Sequence, residues 1–126
     1  MKAILDTSVV VARGVAPVTA ELAISAVTLA ELHFGVLVAR DPDARAERLR
    51  RLLFVRTAFD ALPVDADVAA SYGRLAAAVV EGGRQPRARS MDLLIAATAH
   101  AHGATLLTRN PRDFVGLDGL VEVAEA

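Results

Sequence analysis

Apolar residues along this chain fall into two alternating rhythms, short unbroken runs and longer stripes at helical spacing. KAIL at residues 2–5 predicts a strand, and Thr7-Ser8 supply helix-start chemistry ahead of VVVAR at residues 9–13. Leu22 to Ser25 predicts a second strand, after which Thr28 opens a helix striped by Leu29, Leu32, Val36 and Leu37. Asp41-Pro42-Asp43 marks a break, and Pro42 suits the start of a helix over Asp43 to Val55, with Leu49, Leu52 and Leu53 on one face and arginines on the other. Ala61 to Val64 predicts a strand and Asp65 a cap. The helix that follows buries Val68, Tyr72, Leu75, Ala76 and Val79 and ends at Gly82-Gly83. Arg84 to Arg89 reads as a loop. Ser90 then caps a helix from Met91 to His102, Gly103 ends it, and Ala104 to Leu107 forms the next strand. A turn at Asn110-Pro111 and a last strand over Leu120 to Val123 close the chain.

Strands that are continuously apolar are buried on both faces, and helices between them supply the crossovers that parallel pairing requires. The pattern therefore predicts an α/β fold with a central parallel sheet of four to five strands flanked by helices. No repeat, linker or low-complexity tract divides residues 1–126, so one domain is expected. In such open sheets the functional crevice lies at the carboxyl ends of the strands, where strand order reverses.

Composition narrows the chemistry. The chain of 126 residues is 54% apolar and has no cysteine, which excludes disulfides, thiolate nucleophiles and the common structural zinc sites and suits a reducing cytoplasm. Asp6, Arg13 and Gly14 interrupt any leader-like apolar segment. The longest stretch free of charged residues, Leu93 to Thr108, is 16 residues long, too short for a membrane span. A soluble protein without membrane contact is expected. The net charge of −1 argues against nucleic-acid binding by a globally basic surface. The positive charge is instead local: Arg84, Arg87 and Arg89 crowd one short stretch and Arg40 to Arg51 another.

Four acids fall on the expected active edge. Asp6 follows the first strand, Glu31 lies near the start of the helix after the second, Asp92 heads a long apolar helix, and Asp113 follows the strand ATLL. Singly, each has an ordinary structural explanation as a cap, a first-turn acid, an exposed helical glutamate or a turn former. Together they would repel one another and raise one another's pKa unless a cation compensates. Oxygen-only donors with no cysteine, and no histidine at ligand spacing, suit Mg²⁺ or Mn²⁺ rather than zinc.

LDTSVV at 5–10, SAVTLAELHFG at 25–35, RSMDLLIAATA at 89–99 and LLTRNPRDF at 106–114 resemble, in this order, the PIN-domain ribonucleases, and more narrowly the VapC toxins of bacterial toxin-antitoxin pairs. The resemblance implies a PIN-like three-layer sandwich and an Mg²⁺- or Mn²⁺-dependent endoribonuclease. It also implies a homodimer, possible larger toxin-antitoxin complexes, and neutralisation by a VapB-type antitoxin. By the same resemblance Asp6, Glu31, Asp92 and Asp113 match the acidic quartet that binds metal and positions the hydrolytic water. Thr7 or Ser8 and Thr108 match supporting polar positions. Asn110 stands where some relatives carry an acid, so Asn110 or Asp113 completes the set.

The Arg84, Arg87 and Arg89 loop immediately precedes Asp92 and is expected to hold RNA phosphates beside the metal. The Arg40 to Arg51 segment is expected to be a solvated face or an antitoxin contact. His100 and His102 diverge on their helix and suit its C-terminal dipole, and His33 turns away from Glu31. Asp65 and Asp67 form a D-x-D pattern better explained by capping, and no phosphate-loop motif is present. Of the rival functions, a phospho-acceptor signalling domain needs a late lysine, whereas Lys2 is the only one in the chain. A PIN-like module that binds RNA or protein without cutting is the other.

Overall fold

The computed structural model describes residues 2–12 and 20–126. Five strands form one sheet: β1 (Lys2–Leu5), β2 (Glu21–Ser25), β3 (Asp60–Leu62), β4 (Thr105–Thr108) and β5 (Val123–Glu125). Their order is β3-β2-β1-β4-β5 and every pairing is parallel, as buried apolar runs joined by crossovers require. The chain builds outward from β1 to β3 on one side and then crosses to lay β4 and β5 on the other. The order thus reverses between β1 and β4.

Period-2 alternation divides the strand side chains between two cores. Ala3, Leu5, Ile24 and Leu107 pack against α1 (Thr7–Val10), α2 (Ala26–Val38) and α3 (Pro42–Ala58). Ile4 and Leu106 face the opposite layer, α4 (Ala66–Glu81) and α5 (Ser90–Ala101). The result is helix layer, sheet, helix layer. Helix α5 buries Leu93, Ile95, Ala96, Ala97, Thr98 and Ala99, so it is enclosed nearly all round. Its three buried alanines let the backbone lie close to the sheet, and Gly103, at φ +61°, turns the chain into β4. No helix among the described residues is long and apolar enough to cross a membrane.

Several elements differ from the sequence expectation. Helix α1 ends at Val10, and Arg13 of the VVVAR run lies outside the described residues. Helix α2 begins at Ala26 rather than Thr28, because the Ser25 hydroxyl accepts the Val27 N–H at 3.1 Å and caps it. Leu37 is 77% exposed, outside the buried stripe. In α3 the buried residues are Leu52 and Val55, while Leu49 and Leu53 face outward. Ser90 is no cap: residues Pro86–Arg89 form a 3-10 turn running directly into α5, and the Ser90 hydroxyl donates to the Arg87 carbonyl. The last strand is Val123–Glu125 instead of Leu120 to Val123, since Val121 is buried by a turn at Gly119 (φ +80°) before pairing starts. The cap at Asp65 is as expected, accepting the Val68 N–H at 3.0 Å, and Asp41 caps α3 in the same way by accepting the Ala44 N–H at 3.0 Å.

Candidate metal centre and nucleic-acid interface

Asp6 is the residue after β1, and its N–H donates to the Leu107 carbonyl at 2.8 Å, extending the central pairing by one bond. Thr108 ends β4 beside it. Both therefore stand at the carboxyl edge of the sheet, across the point of order reversal, where α/β sheets open a crevice. Asp6 occupies the N-cap position of α1, yet its side chain makes no capping bond. Instead Oδ2 accepts from the hydroxyls of Ser8 and Thr108, each at 2.8 Å. At 5% exposure this carboxylate is held by hydroxyl donors, which is what a buried charge requires. Ser8 and Thr108 are positioned in turn: Ser8 Oγ accepts the Arg109 N–H and Thr108 Oγ1 accepts the Asn110 N–H, both at 3.0 Å. The main chain of Asn110 thus supports the site.

A second pair of hydroxyls holds Glu31. Thr7 Oγ1 donates to Glu31 Oε1 at 2.6 Å and lies 3.0 Å from Thr28 Oγ1. A hydroxyl has one proton, and that of Thr7 goes to the carboxylate, so Thr28 donates to Thr7. Thr28, which the sequence pattern marks only as a helix opener, is fully buried. Its spacing three residues before Glu31 on one helix face is the signal that could have identified it.

Asp92 and Asp113 are held differently. Asp92 lies in the first turn of α5, and Asp113 in a 3-10 turn, Pro111–Phe114, after β4. The Arg89 guanidinium sits between them, 2.8 Å from Asp113 Oδ1 and 3.5 Å from Asp92 Oδ2. The Asp92 carboxyl is pushed above the ordinary aspartate range, first by burial and then by the charges of Asp6, Asp113 and Glu31, with Arg89 opposing. The three other acids therefore act on Asp92 through their fields, although they come from three separate parts of the chain.

The donor set is all carboxylate oxygen, mutually repulsive and free of histidine, which fits a hard divalent cation. Among the described residues no three acidic or histidine side chains are drawn together tightly enough to cage an ion as they stand. Of the basic loop, Arg84 and Arg89 line one cleft of about 280 Å³ together with Arg112, Asp113, Leu93 and Phe114. Arg87 lines another with Tyr72 and Ser90, and Gln85 lines both. His100 is tied to α4, its Nδ1 lying 2.8 Å from Ser71 Oγ, so it belongs to helix packing.

Comparison with known proteins bears on this geometry. Residues 3–120 match the model of the PIN domain family. The chain is 40% identical to ribonuclease VapC5 of Mycobacterium tuberculosis over 95% of its own length and 90% of that protein's. The crystal structure of a VapBC-5 toxin-antitoxin complex from the same organism superposes with a TM-score of 0.85 at 39% identity, covering 98% of this chain and 96% of that one. VapBC2 of Rickettsia felis, solved bound to a DNA fragment from its promoter, superposes with a TM-score of 0.81 at 25% identity over 100% and 99% of the two chains.

Proposed function

Because the chain belongs to the PIN-domain family, in its VapC branch, we propose that it is a divalent-metal-dependent endoribonuclease and the toxin of a VapBC-type pair. The observation that carries this reading is how four acids from separate elements are held, Asp6 at the carboxyl edge of the sheet and Glu31 by hydroxyls, and Asp92 and Asp113 by one guanidinium. Asp6 and Asp92 would hold Mg²⁺ or Mn²⁺ most directly, with Glu31 and Asp113 completing the acidic rim. A cation bound there stabilises phosphoryl oxygens and lowers the pKa of water for in-line attack. The chain's own residues do the rest. Ser8 and Thr108 fix the Asp6 carboxylate, Thr7 and Thr28 fix Glu31, and both pairs are in place before substrate arrives. Arg84 and Arg112, on the cleft that Asp113 also lines, would meet RNA phosphates.

A VapB-type antitoxin is the expected partner. The surfaces of α2 and α3 expose Phe34, Leu37, Val38, Leu49, Leu53 and Phe54, apolar side chains that a partner would cover. Self-association as a homodimer completes the proposal and is read from the molar mass in solution.

The deciding variant is Asp92→Asn, which removes charge at nearly constant volume. Mg²⁺-dependent cleavage of an RNA panel falls by more than about 100-fold while the circular dichroism spectrum is unchanged, since loss even of outer-shell partners costs 10–100-fold. Undiminished cleavage by this variant overturns the assignment. Metal binding by the wild type without cleavage of any RNA favours a binding module instead.

A further inference from the structure

The four acids of the rim fall into two pairs with different partners. Asp6 and Glu31 are held by neutral hydroxyls, which satisfy their lone pairs and leave their charge intact. Among the described residues no hydroxyl donates to Asp92 or Asp113. Among the described residues the only side chain that pairs with either is Arg89, which reaches both.

The geometry of Arg89 is that of a bridge between two elements. Arg89 is the residue before α5, three positions ahead of Asp92, so helical spacing brings it over that carboxylate. Asp113 comes from the turn after β4 and receives the shorter contact. The guanidinium therefore places a positive charge between two of the carboxylates that a divalent cation would need.

From this arrangement we infer that Arg89 is an internal counter-cation, which balances the acidic rim while no metal is bound and must be displaced from Asp92 and Asp113 for a divalent ion to enter. The inference rests on the reading of these acids as the cation-holding group and adds to it a residue that sets metal affinity. The side chain is suited to moving: it is 51% exposed, so leaving the carboxylates returns it to water at little cost. It also already lines the cleft shared with Arg84 and Arg112, so the charge released by metal entry stays beside the surface that would receive RNA phosphates. Arg89 is thus a positioning residue, acting through Asp92 and Asp113.

The test is Mn²⁺ binding to chelator-stripped protein without RNA, followed by calorimetry and by the loss of the free Mn²⁺ paramagnetic resonance signal. Wild type, Arg89→Gln, Arg89→Lys and Asp92→Asn are compared at one ionic strength. Arg89→Gln is expected to bind Mn²⁺ about two- to tenfold more tightly, the range two partly exposed ion pairs would cover. Its metal-free form melts below wild type, and saturating Mn²⁺ closes that gap. Arg89→Lys keeps a competing charge and stays within about twofold of wild type. Equal or weaker Mn²⁺ binding by a folded Arg89→Gln overturns the role of Arg89. Undiminished Mn²⁺ binding by Asp92→Asn is a different failure, since it removes the acidic rim as the cation site and the inference with it.

Discussion

At the scale of single residues, the site depends on which atoms hold each carboxylate. Thr108 donates to Asp6 Oδ2 and accepts from the Asn110 main chain, so Thr108→Val removes two bonds at almost constant shape. A hydrogen bond to a charged group contributes about 1.5–3 kcal/mol, and a urea titration is expected to show a loss of about 2 kcal/mol. Mn²⁺ affinity should fall about tenfold, as for loss of an outer-shell partner. A variant as stable as wild type would mean that Ser8 alone suffices for Asp6. The four acids could be read in the sequence because Asp6, Glu31 and Asp113 each come shortly after an apolar strand run, and Asp92 heads a long apolar helix. Arg89 could be read only as a basic loop residue. Its helical spacing to Asp92 was visible, but its shorter contact is to Asp113, which no local pattern connects to it. The sequence also left Asp6 open between cap and ligand, and the absence of a capping bond from its side chain in the structure decides against the cap.

At the scale of elements, α5 and the α2–α3 pair carry separate duties. Helix α5 brings Asp92 to the rim because Ala96, Ala97 and Ala99 are fully buried, giving the helix a thin flank against its neighbours. Ala97→Leu forces extra methylenes into that contact. Destabilisation of about 1–3 kcal/mol in chemical denaturation is expected, together with reduced cleavage as Asp92 is pushed out of place. The α2–α3 surface is expected to behave oppositely. Phe34→Glu with Leu53→Glu touches exposed positions and should leave stability within about 0.5 kcal/mol per substitution, while affinity for a VapB-type antitoxin drops in a pull-down or titration. Unchanged antitoxin binding would move that contact elsewhere. Elements with strong punctuation were legible, as at Asp41-Pro42 and Asp65, where a side-chain cap fixes the start. Ser90 misled because a 3-10 turn precedes its helix and takes its hydroxyl. The leucines of α3 misled because Leu52 and Leu53 are adjacent in sequence but lie on different faces of a helix, and only the neighbouring layer determines which is inside.

At the scale of the whole molecule, the acidic rim couples stability to pH and, on the proposed reading, would couple it to metal. The folded carboxyl of Asp92 titrates above its unfolded value, so in the window between the two the folded state holds more protons. Stability of the metal-free protein therefore falls as pH rises through that window and stays lower at neutral pH, the reverse of an aspartate in an ordinary salt bridge. Thermal melts in chelator across this range should show the decline. Asp92→Asn should remove this contribution, and added Mg²⁺ should raise the neutral-pH melting temperature of wild type more than that of the variant. The architecture itself was legible because buried parallel strands leave an unmistakable alternation with helices, whereas strand order depends on which runs meet in space. That order has a kinetic consequence. Asp6 finds its hydroxyl partner Thr108 across 102 positions of chain. A ribosome adding about 5 to 20 residues per second has released the first strand several seconds before the segment that completes the acidic rim emerges. A nascent copy cannot assemble this site, so any cleavage of RNA by this chain begins only after most of it has been made.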